Sequence, residues 1–600
     1  LSAVFTAVAA ASLGLLTTGC TTPQATAPST FTPGTYTAKV TGHNAPMTVK
    51  VTVSKNRIES IDTSDNLETI GVGKVALEIM KDKILKHQSL GVDVVTGASI
   101  SSLALKQGVE ECLEKAGGNI DALTENVEKH PAGEVTYKAD VVVIGGGGSG
   151  LAAAIAAHQA NAKKVIVLEK MGFLGGSTNV SEGALNAPDP VRQGKQGIED
   201  SIEKFYDQTM KGGHNKGTPS LVHYLTSHAM EEVNWLESLG VKFKDEVGTA
   251  TGALWQRSHY PATPSGNTYI RTFEQVIRDS NGGIQVLTDT PVKSITTLDG
   301  RVTGVVAENF GRKVVVDANA VVIATGGFGA NIEMRQKYNT GVWKDVVLDK
   351  SIGCTNLQKA AQGDGLAMAK KVGADVIGLD DIQIHPCGTP GTGLMENIRT
   401  SGRNRIFVNT DGARFVNEGA ARDVLAKAIF AQPKGTYWVV VNHLRYPSED
   451  FVDANGATIR NMLALGAVVA APTLDELAAK TGMDAKKLKA SVAGYNAVVT
   501  GKAKDPLGFV ANNKADKVLD GGPWYACKKV PTVHHTMGGV RINDKAEVLD
   551  TQGRVIRGLY AAGEVTGGIH GSNRLGGNAI ADVMLSLIHI SEPTRLGMIS

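Results

Sequence analysis

Cysteine is scarce in this chain. Five occur in 600 residues, at Cys20, Cys112, Cys354, Cys387 and Cys527, and none forms C-x-x-C. A disulfide framework, a zinc ribbon and a thiolate-ligated cluster therefore lack ligands, and no c-type haem motif is present. The adjacent His534 and His535 have no third ligand at a matching spacing, so no metal site is expected. An excess of either charge is missing too: 61 Lys and Arg face 59 Asp and Glu, a net charge of +2. With no basic cluster carrying interleaved aromatics, nucleic acid is not an expected partner. Long apolar runs are also absent, the longest candidate, Ala3 to Leu16, falling short of the ~20 residues a spanning helix needs. Glycine, by contrast, is abundant at 70 residues, and 42% of the chain is hydrophobic, enough for several cores in roughly four units of ~150 residues.

Residues 1–38 carry no charged side chain. The run ending Leu16-Thr17-Thr18-Gly19-Cys20, followed by a Thr/Pro/Ala/Ser stretch, resembles a bacterial lipoprotein: residues 1–20 as signal peptide and residues 21–33 as flexible linker. That resemblance implies an extracytoplasmic protein anchored to the cell membrane through lipidated Cys20. The alternative is an ordinary secretion signal with an incidental cysteine.

From Gly34 the text alternates as strands do, GTYTAKVTG and MTVKVTVSKNRIESI, with a turn at residues 42–46. Helical spacing follows at Val75, Leu77, Ile79, Met80 and Ile84, then Asp93-Val94-Val95-Thr96-Gly97-Ala98-Ser99, then a second helix closing near Gly117-Gly118. Residues 34–118 resemble the small α+β FMN-binding domain to which a flavin transferase attaches FMN. The resemblance implies Ser99 as acceptor of a covalent phosphoester, with Thr96 and Gly97 completing the attachment motif. Residues 119–137 read as a linker.

Next comes an apolar strand, Ala139 to Ile144, running into Gly145-x-Gly147-x-x-Gly150 and an alanine-rich helix. In strand, G-x-G-x-x-G, helix, the first glycine makes the tight turn, the second admits the pyrophosphate and the third lets helix and sheet pack closely. A second strand ends in Glu169, placed to accept the ribose hydroxyls of a dinucleotide.

Three further strings, GGSTN with Gly176 and Ser177, VVIATGGFGAN with Thr325, Gly326 and Gly327, and AAGEVTGGIHGSNRLGGNAI, together with VHHTMGG, make residues 138 to about 583 resemble the flavoprotein of fumarate reductases and their urocanate, acrylate and cinnamate reductase relatives. The implied fold class is α/β: a Rossmann-like FAD-binding domain (138–375 and 516–585) with an inserted α+β capping domain (376–515), behind the FMN domain. FAD would be held non-covalently, with Glu564 near it, Asn578 in the same motif, and the Leu575 and Gly576 amides opening a helix at the flavin.

The resemblance also implies site roles. Arg574 and His535 clamp a substrate carboxylate, His385 meets the other end of a dicarboxylate, and Arg422 donates the proton. A Glu-x-x-Arg relay feeding that proton falls on Glu396 and Arg399 if a two-residue insertion is allowed, whereas the ungapped count gives Ile398 and Ser401. Alternatively, Arg399, Arg403 and Arg405 form a solvated basic loop. The implied reaction is reduction of a small α,β-unsaturated carboxylate, fumarate first and urocanate or an aryl acrylate next, with electrons reaching FAD through covalent FMN from a membrane or soluble donor. A rival of another class is a flavin electron carrier without a small-molecule substrate, against which the retained Arg422, Arg574 and His535 argue. Residues 586–600 read as foreign sequence.

Overall fold

A computed structural model describes residues 30–512 and 515–584. Cys20 and the tail after residue 584 lie outside the described residues.

The first unit is an antiparallel sheet of Gly34–Thr41, Pro46–Ser54 and Arg57–Asp62, so the second alternating string is two strands with a turn between them. Met47, Val49, Val51 and Val53 all point inward, as the period of two requires. They pack on helices Gly73–His87 and Ser99–Lys115. Gly108 permits the close approach, since a Cβ there would lie 2.4 Å from Val49 Cγ2. The short helix Ile120–Thr124 adds Leu123 to this core, so the unit extends beyond residue 118.

The second unit is built on an eight-stranded sheet whose parallel centre runs Val555–Ala561, Arg312–Ile323, Glu134–Ile144, Val165–Leu168, Ile284–Leu287. Strand Glu134–Ile144 begins inside the expected 119–137 linker. Its first half is polar on alternate residues and is held in register by Glu134 opposite Lys313, an ion pair of 2.9 Å. Only its second half is covered on both faces and so reads as apolar. Helix Gly148–Gln159 is buried along almost all its length because its side chains are small.

The cap is a five-stranded sheet of Ile382–Gly388, Trp524–Thr536, Tyr437–Asn442 and Ile406–Val408, with Val469–Ala471 alongside, backed by helices Arg422–Phe430, Ile459–Ala464, Leu474–Thr481 and Ala485–Val499. This corrects the expected boundary at 516. Strand Trp524–Thr536 pairs with cap strands along its length, and the chain rejoins the flavin unit only at Gly539–Arg541, beside Val376–Ile377 and Thr566–Gly567. The VHHTMGG string thus leaves one unit and enters the other, which puts its histidines at their interface.

The first unit docks on the second beside Glu169: Met171 and Phe173 insert into the small unit's core, and the Gly172 amide donates to the Thr96 carbonyl at 3.0 Å. The Thr96 hydroxyl bonds the Asp289 carboxylate. Among the described residues no helix is long and apolar enough to cross a membrane.

Candidate active site

A cleft of about 850 Å³ opens above the parallel strands, walled by Gly145, Gly147, Ser149, Glu169, Gly176, Ser177, Thr325, Gly326, Gly327 and Glu564 among others. Gly145 has φ +107°, and a Cβ there would meet the Ala324 carbonyl at 2.4 Å. A Cβ on Gly150 would sit 1.9 Å from the Gly145 carbonyl, so the helix can approach the turn only as glycine. Gly147 faces the cleft with nothing closer than 3.9 Å, and Gly326 faces open space. Thr325 Oγ1 is buried without a partner among the described residues. Open glycine amides, a helix N-terminus and an orphaned hydroxyl in one cleft fit the phosphates and ribose of a dinucleotide. The Glu169 carboxylate accepts from the Gly146 amide at 2.6 Å and the Met171 amide at 2.7 Å. Burial pushes its pKa up against those bonds, and each oxygen retains a lone pair for a ribose hydroxyl. Replacing Gly150 by alanine is expected to cost ~3 kcal/mol or more through overpacking and to yield protein without FAD, measured as flavin per chain and as a lowered Tm.

Beyond Glu564 a buried cluster of cationic and imidazole side chains lies between flavin unit and cap. Arg422 opens helix Arg422–Phe430, its Nε donating to the Thr251 carbonyl at 2.8 Å and one terminal nitrogen to Gln383 Oε1 at 2.8 Å. Gln383 in turn donates to the Arg574 carbonyl at 2.7 Å. Arg574 donates to the Leu575 carbonyl at 3.3 Å, and its Nε has no partner. His385 Nδ1 accepts from the Cys387 amide at 3.1 Å, which leaves Nε2 as the protonated, donating nitrogen. Its ring lies 4.5 Å from that of His534, and His535 Nδ1 stands 3.6 Å from Glu564 Oε2.

The electrostatics follow from burial. Arg574 is pushed down to about 10, and Arg422 falls well below its usual range, by burial first and by Arg574 second. Burial and these two cations hold His385, His534 and His535 neutral. Burial raises Glu564 to about 7 against hydrogen bonds from Thr536 and the charge of Arg574. Neither guanidinium makes an ion pair of its own among the described residues. Two buried cations left this way are costly unless an anion joins them.

The expected Glu396–Arg399 relay is not made. Arg399 pairs with Glu182 at 3.3 Å and donates to Ser401 Oγ at 2.7 Å, while Ser401 donates to Glu182 at 3.1 Å. Residues at i and i+3 meet on a helix, and the segment between Gly388 and Ile406 is irregular, so that spacing brings no pairing there. Nor is this a solvated basic loop: Arg403 pairs with Asp516 at 2.8 Å, and buried Arg405 donates to the Glu418 carbonyl at 2.9 Å. Thr400 Oγ1 lies 2.9 Å from Thr251 Oγ1, so the Glu182 network abuts the residue that holds Arg422.

Leu575, Gly576 and Asn578 are not in the wall of the cleft. They stand behind Asn186, whose amide donates to the Gly576 carbonyl at 2.7 Å and to Asn578 Oδ1 at 2.8 Å. Leu575 and Gly576 precede the helical residues 578–584, and a Cβ on Gly576 would press on the Thr251 carbonyl. Ser99 is the first residue of its helix, where Ala98 gives no side-chain cap, and its hydroxyl has no hydrogen bond among the described residues. An uncapped helix start and a free hydroxyl suit a phosphate. Sequence reasoning missed Glu182, Thr251 and Gln383. Only Gln383 had a signal: it lies two residues before His385 and so on the same strand face.

Residues 140–580 match the FAD binding domain family and residues 42–114 the FMN-binding domain family. The chain is 36% identical over 610 residues to an NADH:acrylate oxidoreductase of Vibrio harveyi, covering 91% of this chain and 60% of that protein. It is 33% identical over 571 residues to a urocanate reductase of Eggerthella lenta, covering 92% and 90%. The open conformation of a flavocytochrome c3 fumarate reductase superposes with a TM-score of 0.60 at 34% identity, over 77% of this chain and 79% of that one. The chain thus spans about 60% of the length of the Vibrio protein.

Proposed function

The chain belongs to the FAD-binding flavoprotein family matched by residues 140–580, with an FMN-binding domain ahead of it, and on that premise we propose that it reduces the carbon–carbon double bond of a small α,β-unsaturated carboxylate. The observation that carries this reading is that Arg422 and Arg574 lie buried beside the FAD cleft without an anion of their own among the described residues. A substrate carboxylate supplies that anion. The relatives named for acrylate and urocanate support the substrate class.

Bound FAD supplies the hydride. The protein's part is to hold the carboxylate through Arg574 and His535, which withdraws electron density from the alkene, and to protonate the neighbouring carbon. A solvated arginine is too weak an acid for that second step. Arg422 differs because burial and Arg574 both disfavour its charged form, so it releases a proton more readily. The Thr251 carbonyl and Gln383 fix its orientation.

FAD binds non-covalently in the cleft, and FMN is joined to Ser99 by a flavin transferase and passes electrons inward from a membrane or soluble donor. Cys20 anchors the protein to the outer face of the cytoplasmic membrane. A pure electron carrier has no use for the uncompensated cations. Fumarate is the leading single substrate, with urocanate or an aryl acrylate next.

Anaerobically reduced holoenzyme should regain its oxidised flavin spectrum when an enoate is added and stay reduced with the saturated acid; a spectrum unmoved by every enoate overturns the reading. Glu564 gives a pH dependence. Below about 7 its carboxyl is neutral and the pocket is more positive, and above it the carboxylate cancels one cation. KM is therefore expected to rise as pH passes upward through 7, and Glu564→Gln should flatten that rise.

A further inference from the structure

Lys528 and Lys529 are neighbours in sequence, but the strand alternation separates them. Lys528 lies over the Trp438 ring at 5.4 Å, whereas Lys529 is 1% exposed. The Lys529 ammonium donates to the Cys387 carbonyl at 3.1 Å and to Asn397 Oδ1. Both acceptors are neutral, one N–H is left over, and among the described residues Lys529 makes no ion pair. Glu396 feels its charge without pairing with it.

Its position relative to the pocket is set by register. Lys529 and Val530 follow Cys527 on the strand that pairs with Ile382–Gly388, where Gly388 faces Val530 and His385 faces Thr532. Lys529 therefore stands beside the His385 and Cys387 end, away from Arg574 and His535. Its charge is one of those that, with burial, keep His385 neutral, and it opposes the upward push of burial on the Cys387 thiol. At this end a neutral imidazole offers Nε2–H, and a fixed ammonium lies behind it.

We propose that Lys529, held by Asn397, is a specificity-determining residue whose buried charge strengthens the His385 end of the site for an enoate carrying a second carboxylate over one that lacks it. This rests on the enoate-reductase reading and adds the chemistry of the distal group. One carboxylate meets Arg574 and His535, and the other meets His385 in the field of Lys529. A monocarboxylate puts no anion at the His385 end.

The test compares kcat/KM for fumarate and acrylate, with a reduced viologen as electron source, in wild-type holoenzyme and in Lys529→Met, Lys529→Gln and Lys529→Arg. Wild type should prefer fumarate. Lys529→Met should lower kcat/KM on fumarate roughly 10- to 100-fold, the effect of removing a buried charge from the neighbourhood of an anion, leave acrylate within about 3-fold, and be partly rescued by Lys529→Arg. If Lys529→Met binds no FAD, Lys529→Gln, which keeps the hydrogen bonds and loses the charge, gives the same readout. Equal losses on both substrates with FAD retained, an unchanged ratio, or a wild-type preference for acrylate would overturn the proposal while leaving enoate reduction intact. Wild type that oxidises the dye with neither acid but does so with urocanate or cinnamate would also overturn the proposal, whereas wild type that oxidises it with none of the four would remove the reading beneath it.

Discussion

Arg422→Ala is expected to abolish turnover, by ~10³- to 10⁴-fold, with FAD still bound. The magnitude is that of losing a positioned general acid. Retention of FAD is expected because Arg422 belongs to the cap helix and takes no part in the wall of the dinucleotide cleft. The substitution also leaves the Thr251 carbonyl and Gln383 Oε1 without their donor, so some loss of stability accompanies it. Arg422→Lys separates charge from geometry: an ammonium retains the positive charge but cannot bond both acceptors in the plane of a guanidinium, and it should recover little activity. Dye-driven turnover and flavin content measured on the same preparations check this. Turnover of Arg422→Ala within tenfold of wild type, with full FAD, would remove Arg422 from the chemistry.

Ser99→Ala should eliminate every covalently held flavin and leave the acid-released FAD unchanged. The two sites are separate, Ser99 lying on the small unit and the dinucleotide cleft on the large one. They nevertheless adjoin, because Met171 and Phe173, two and four residues after Glu169, plug into the small unit's core, and Gly97 has no room for a Cβ, which would lie 2.1 Å from Met171 Cε. Electron flow from a donor that enters through FMN should therefore stop in Ser99→Ala, whereas a small dye that reaches FAD directly should still drive reduction. The measurement is flavin in the precipitate and supernatant after acid treatment of wild type co-produced with its flavin transferase. Wild type with no flavin in the precipitate overturns the assignment of Ser99.

Much of this was legible in the sequence because local patterns carried it. The turn from Gly145 to Gly150 is specified by close approaches of 1.9 and 2.4 Å that only glycine tolerates. The three strands of the small unit announce themselves by alternation, since one face of that sheet is buried. Arg422 and Arg574 meet between cap and flavin unit through Gln383, and His385 and His535 lie within the field of both.

What the sequence concealed depends on long-range contacts. Glu182 reaches Arg399 from a distant segment, and no local spacing within the irregular 389–405 loop could have indicated it. Lys529 sits next to an exposed lysine, and only its place on a strand buried between two others turns it inward. The boundary at 516 failed for a related reason: Trp524–Thr536 is one continuous strand whose pairing partners lie in the cap but whose last residues serve the flavin unit, so composition does not change where the units meet.

Anaerobic oxidation of a reduced viologen by wild-type holoenzyme, with fumarate, acrylate, urocanate and cinnamate supplied in turn, bears most directly on the claim that the buried arginine pocket binds and reduces an enoate. The account predicts saturable dye oxidation with at least one of these acids, two dye molecules consumed per saturated product, and the highest kcat/KM on fumarate. Enzyme carrying its full complement of FAD that oxidises no dye with any of the four would contradict it.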